Sequence, residues 1–182
     1  GHPVSDAVVS LVPDEVIDES PSRAAYMEQS GRQFSPHVLP VQRGTVVSFP
    51  NRDTIKHHVY SFSAPKRFEI QLYGGDTADT VTFAKPGVVA LGCNIHDWML
   101  GYVYVVDTPY FAKSDDSGQL AIGELSGGKY RVHVWHPRLR NEPAGQDQSV
   151  TFGDDESVEL GFELDLKRER RRAPRDDRFS DY

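Results

Sequence analysis

Cysteine is almost missing from this chain: Cys93 is the only one in 182 residues, so no internal disulfide exists. A lone thiol needs a reason to persist. Metal ligation supplies one, because a bound cysteine is held as thiolate and is not free to oxidise. Long apolar runs are missing too. No stretch of about 18 apolar residues occurs, so no segment reads as membrane-spanning. Helix signals are few. Pro and Gly recur between short runs rich in Val, Ile, Phe and Tyr, the pattern of an all-β protein with many turns. There is no exact internal repeat. No signal peptide is visible ahead of Gly1-His2-Pro3, so the chain reads as a mature or trimmed form and its compartment must be inferred from chemistry.

Charge is present but unevenly spread. The whole chain carries −7. From Lys167 to Tyr182, seven Lys/Arg face four Asp/Glu, a net of +3 that leaves −10 for the rest. A basic tail of this kind is expected to be solvated, or to act as an arm that docks onto an acidic partner or surface. Nucleic acid is not an expected partner for so acidic a body.

Strand-like segments run along most of the chain. They are Val4–Val12, Phe34–Val41, Thr45–Pro50, His57–Phe62, Phe68–Tyr73, Thr80–Phe83, Gly87–Leu91 and Gly101–Val106. Asp14–Gly31 reads as loop or short helix. Beyond Thr108, strands are expected at Gln119–Ile122, Tyr130–Trp135, Ser149–Phe152 and Ser157–Leu164. The spacing is that of β-sandwiches.

The segment Cys93-Asn94-Ile95-His96-Asp97-Trp98-Met99 follows the apolar run Gly87–Leu91. It places a thiolate, an imidazole and a thioether at C-x2-H-x2-M. Two sulfur donors favour a soft metal, and His2Cys with a weak axial Met is a copper electron-transfer set. A zinc site would want another Cys or His in place of Met. One more imidazole is needed, and Asn51–Val59 offers two neighbours, His57 and His58. Adjacent residues on a strand point to opposite faces, so only one of them can serve. Trp98 reads equally as core or as an apolar collar around His96. His37, His133 and His136 show no second ligand cluster.

From about Gln33 to Asp107 the chain resembles a cupredoxin. The loop Cys93–Met99 is similar to the short ligand loop of amicyanin, and Phe49-Pro50-Asn51 with the step from Asn51 to His57 matches the same family. The resemblance implies a Greek-key β-sandwich and one type 1 copper ion, with His57, Cys93, His96 and Met99 as ligands and imidazole Nδ1 as the donor. It departs from the family at His58, where an Asn that braces the cysteine loop is usual. The flanking segments resemble a carboxypeptidase regulatory-like module. Asp115-Asp116-Ser117-Gly118-Gln119-Leu120 and Gly128-Lys129-Tyr130 match its turn and strand, and Gly1–Val9 matches its opening strand. The resemblance therefore implies an all-β chain with a cupredoxin unit at 28–106. That unit is inserted into a smaller Ig/prealbumin-like sandwich made of 1–20 and 107–166, with a basic tail at 167–182. Bacterial proteins labelled as methylamine utilisation or plastocyanin-like pair these two modules.

The implied function is a periplasmic or cell-surface blue copper protein, not an enzyme, that passes single electrons to a redox protein such as a c-type cytochrome or to a redox complex. A copper-delivery protein and a copper-bearing subunit of a larger redox assembly are the alternatives. A multicopper oxidase or nitrite reductase would need further His-rich centres, which seven histidines do not supply.

Overall fold

In the computed structural model, alternation of apolar and polar residues sets up strands whose two faces pack on different neighbours. The structure describes residues 1–14, 24–75, 79–123, 125–140, 146–154 and 156–168. The chain is all-β, and the described residues contain no helix. Among the described residues there are fourteen strands: β1 Val8–Pro13, β2 Ala25–Tyr26, β3 Glu28–Ser30, β4 Gln33–Ser35, β5 Val38–Gln42, β6 Val46–Ser48, β7 His57–Ser61, β8 Phe68–Tyr73, β9 Thr80–Thr82, β10 Gly87–Cys93, β11 His96–Val106, β12 Phe111–Lys113, β13 Gly128–Trp135 and β14 Gln146–Phe152. They form a five-stranded sheet in the order β5-β11-β10-β7-β8, a three-stranded sheet β2-β6-β9, the hairpin β3-β4 and a four-stranded sheet β12-β1-β13-β14.

Three buried clusters hold these layers together. The largest includes Met27, Val47, Phe49, Val59, Phe83, Val89, Leu91 and Val103, and it also takes in Cys93 and Met99. The metal-ligand candidates therefore sit at the end of a packed core, not on a free loop. A second cluster gathers Leu11, Tyr130, Val132 and Val134 on one face of the four-stranded sheet. On the opposite face, Val8 and Trp135 pack on Val38, with Val88, Tyr102 and Tyr104 alongside. Trp135 stacks on Tyr104 with ring centroids 4.5 Å apart. The four-stranded sheet thus lies against the outer face of the five-stranded one.

β1 finds its partners far along the chain. Ser10 pairs with Phe111 on one side and with His133 on the other. Thr108 Oγ1 donates to the Leu11 carbonyl at 2.7 Å, and Leu11 N donates to the Tyr110 carbonyl at 2.8 Å. The chain leaves β1 and returns beside it.

The strands expected at Gln119–Ile122 and Ser157–Leu164 are not part of any sheet. Their alternation is real: Ile122, Phe162 and Leu164 dock on the second cluster. Their backbones, however, run over the sheet face and gain no ladder. An isolated bridge between Leu139 and Leu166 ties the last segment down, with Lys167 N donating to the Arg138 carbonyl at 2.7 Å, Arg140 N donating to the Asp165 carbonyl at 3.0 Å and an Arg140–Asp165 ion pair. Where loop or short helix was expected across Asp14–Gly31, residues 24–30 instead form β2 and β3; 15–23 lie outside the described residues. Of the expected basic tail, 169–182 also lie outside them.

Candidate metal centre

Cys93 ends β10 and His96 begins β11, so a two-residue turn brings them into direct pairing. The register shifts between Gly92 and Cys93, which re-aims the thiol at the end of the ladder. β7 starts at His57 and lies beside β10, joining it at the pair Gly92 and Tyr60. The three side chains meet. Cys93 Sγ is 3.9 Å from His57 Nδ1 and 3.8 Å from His96 Nδ1, and all three ligand atoms lie within 4.8 Å of one another. Those spans suit a first-row ion bonded at about 2.0–2.3 Å to each atom. The donor set therefore fits a metal of the copper type, with two imidazoles and a thiol at the corners of a small triangle.

Burial grades across the triangle. His57 is 0% exposed and Cys93 3%, whereas His96 is half-buried and presents its edge outward. Burial lowers the His96 pKa, and the fields of His57 and Arg32 push the same way against the opposing Asp53. A lowered value keeps the imidazole neutral, which a ligand must be. Met99 is 3% exposed and belongs to the same cluster as Cys93. Trp98 is 37% exposed, its ring centroid 5.2 Å from that of His96. Ile95 and Leu100 are exposed nearby in the chain. Trp98 is therefore a collar beside the His96 edge and not core.

Sequence reasoning missed Asp53. His57 Nε2–H donates to Asp53 Oδ2 at 2.7 Å, which leaves Nδ1 as a lone pair aimed at the thiol. A carboxylate behind a ligating imidazole fixes its tautomer and orientation. Asp53 is itself clamped. The β3–β4 turn holds Gly31 and Arg32 in the left-handed region, at φ 60° and 57°. In that conformation successive N–H groups converge, and they donate to Asp53 Oδ1 and Oδ2 at 2.7 and 2.9 Å. Burial pushes the Asp53 pKa up, but these N–H donors and the His57 ring outweigh it and leave the carboxyl below its usual value. Asn51 Oδ1 accepts from Asp53 N at 2.9 Å, and Asn51 Nδ2 donates to the Ile55 and Tyr73 carbonyls. The loop 51–55 is thereby locked. An acid four residues before His57 was the signal available in sequence.

His58 is turned away from the triangle. It is 4% exposed, and Nε2 lies 2.8 Å from Glu69 Oε1, while Nδ1 is buried without a partner. Beneath the site, Gln29 and Tyr73 both reach the Phe49 carbonyl, and burial pushes the Tyr73 pKa up to about 12. The remaining histidines have other tasks. His37 Nδ1 meets the Leu100 carbonyl at 3.0 Å, and His133 Nδ1 meets Asp147 at 2.6 Å. His136 is buried and accepts from Arg138 N at 3.0 Å. Among the described residues, His57, Cys93 and His96 form the one cluster of three or more His, Cys or acidic side chains able to hold an ion.

No protein-family model matches the chain, and no curated protein matches it. Among solved structures, it is similar to the Cu-containing nitrite reductase NirK from Thermus scotoductus SA-01, at 26% identity and a TM-score of 0.45. That match covers 53% of this chain and 25% of the reductase, so the chain spans about a quarter of that protein. The novel purple cupredoxin from Nitrosopumilus maritimus is 23% identical with a TM-score of 0.41, over 45% of this chain and 99% of that one. A reduced mutant of amicyanin is 22% identical with a TM-score of 0.43, over 56% and 99%.

Proposed function

We propose that the chain is a type 1 copper protein that carries single electrons, with His57, Cys93, His96 and Met99 as the residues that would hold the ion. The observation that carries this reading is the triangle of Nδ1, Sγ and Nδ1, built at the end of a packed core with the His57 tautomer already set by Asp53. A bound copper ion would supply reversible one-electron chemistry between Cu(I) and Cu(II). The chain's own residues supply rigidity. Two ligands sit on the tight β10–β11 connection and one on β7, so the strand ladders resist any change in ligand spacing. Buried Cys93 and His57 keep water from the inner corners. His96 has the only half-buried imidazole of the triangle and would offer the exit to a partner, with the Trp98 ring beside it and exposed Ile95 and Leu100 close by in the chain.

The host of the site is read as two modules. A cupredoxin unit at 28–106 interrupts a smaller sandwich made from 1–20 and 107–166. Register supports this, since β1 completes the sheet of β12, β13 and β14. The chain would act in the periplasm or at the surface of a Gram-negative cell, with a c-type cytochrome or a redox complex as partner. It would have no enzymatic activity of its own, and the tail would serve as a docking arm.

A visible and EPR spectrum of the copper-loaded chain tests the reading. The expected result is an intense thiolate-to-copper visible band that Cys93→Ser abolishes. A colourless copper(II) complex, or a band that survives Cys93→Ser, overturns it.

A further inference from the structure

Away from the ligand triangle, His58, Tyr60 and Phe62 alternate along β7 and its exit, on the face turned away from the cluster that buries Val59. Their ring centroids are spaced 5.8 Å and then 5.1 Å. Tyr60 lies against the backbone of Gly92, its partner on β10. A Cβ at Gly92 would meet Tyr60 Cζ and Oη at 2.7 Å. The missing side chain is what lets the ring rest on the peptide joined to Cys93. At the other end of the row, Phe62 is 79% exposed, more than any other large apolar side chain described.

The surroundings of Phe62 are basic and braced. Residues 61–68 and 83–90 hold three cations, Lys66, Arg67 and Lys85, in a chain of net −7, and the one acid beside them, Glu69 opposite Tyr60, is engaged by His58 at 2.8 Å. Ser63 Oγ accepts from Ala90 N at 2.9 Å, and Lys66 N donates to the Ser63 carbonyl at 3.2 Å. Pro65 lies so close to Gly87 that a Cβ there would meet its Cγ at 2.8 Å. The two loops are therefore joined, and the three cations are carried on the same braced pair of loops as the exposed Phe62.

We infer that this lateral face is a docking surface for an acidic one-electron redox protein, with Tyr60 as the contact between the Gly92–Cys93 backbone and Phe62. The inference rests on the one-electron reading above. Charge complementarity selects the partner: the cations sit on an otherwise acidic chain and would steer a negative surface to this face. The Tyr60 ring makes the face useful. Electronic coupling decays less along covalent bonds than across gaps, and the route from the Cys93 sulfur crosses only the contacts to Tyr60 and Phe62. One electron leaves the site, which is oxidised by one equivalent as the partner is reduced by one. No bond forms and no proton moves.

Two measurements test this. First, the metal-free chain is titrated with hexacyanochromate(III), a redox-inert paramagnetic anion, while its amide NMR signals are followed. Broadening at 62–67 and 85–87 that disappears in Lys66→Glu/Arg67→Glu is expected; broadening confined elsewhere, or none, overturns the docking surface. Second, the reduced copper-loaded chain is oxidised by hexacyanoferrate(III). The double charge reversal should slow this about tenfold, while oxidation by the cationic tris(phenanthroline)cobalt(III) is not slowed. Tyr60→Leu should slow it at an unchanged visible band, and Tyr60→Phe should restore it. Equal rates for the Leu and Phe variants overturn the role of the ring. Absence of the visible band in the wild-type chain overturns the one-electron reading and the ring contact with it, while the NMR pattern still decides the docking surface. Binding to phosphatidylglycerol vesicles that is lost in Phe62→Ala overturns a protein partner in favour of a lipid surface.

Discussion

Asp53→Asn changes no shape and removes one acceptor and one charge, so its cost can be worked from three hydrogen bonds. Gly31 N–H donates to Oδ1 at 2.7 Å, and Arg32 N–H and His57 Nε2–H donate to Oδ2 at 2.9 and 2.7 Å. An amide has a single oxygen. With that oxygen in the Oδ2 position, Arg32 and His57 keep an acceptor and the new NH2 faces the Gly31 N–H. In the other orientation two donors face it. At least one hydrogen bond is lost in either case, and a stranded donor costs about 1–3 kcal/mol. The His57 ring is also held less firmly, and losing a partner behind a ligand typically lowers metal affinity by about 10–100-fold. The lost negative charge disfavours the more positive, oxidised state, so the reduction potential should rise. Denaturant melts of the metal-free variant, copper titration against a chelator and voltammetry read the three effects separately. Unchanged affinity together with unchanged potential would refute the argument that Asp53 orients His57.

Three further outcomes are expected. His57→Ala should abolish the visible copper band, whereas His58→Ala should keep it and lower stability, because His58 is packed against Glu69 and away from the triangle; equal loss of the band in both would break the assignment. Met99→Leu should retain copper and raise the potential, as weakening an axial ligand does, and an unchanged voltammogram would count against an axial Met99. The third concerns pH. Burial, reinforced by the Arg138 charge, lowers the His136 pKa to about 4 from 6.5. The unfolded chain therefore binds more protons between those values, so His136 should cost stability as pH falls from about 6.5 to about 4, by about 3 kcal/mol in all. His136→Gln should flatten that part of the stability profile, and a wild-type slope kept by the variant would refute it.

The candidate cluster was legible where it is local. Cys93, His96 and Met99 lie within seven residues, and ligand chemistry makes such a cluster stand out. His57 was reachable through its spacing from Asn51 and needed the strand to separate it from His58. Asp53 was not recognised, because its role depends on a turn at Gly31 and Arg32 that arrives from another hairpin. Tyr60 against Gly92 is a contact between strands, and a glycine in a strand gives no hint of which ring fills its space. The segments 119–122 and 157–164 show a similar limit. Alternation reports which side chains are buried, and Phe162 and Leu164 are indeed turned inward. It says nothing about whether a neighbouring backbone has free groups to pair with.

The pairing of β1 with β12 carries a consequence for how this protein is assembled and how it could be rebuilt. Topologically, everything from Asp14 to Thr108 occupies the place of a hairpin turn, its two ends stapled side by side at Leu11 and Tyr110. β1 must wait for β12 and β13 until the whole intervening unit has emerged. The reward is that both ends of that unit are anchored to one rigid edge. A short turn joining Pro13 to Tyr110 would keep these ladders but strip Val8 and Trp135 of the cover that Val38, Tyr102 and Tyr104 provide, so the host sheet and the unit it carries stabilise each other.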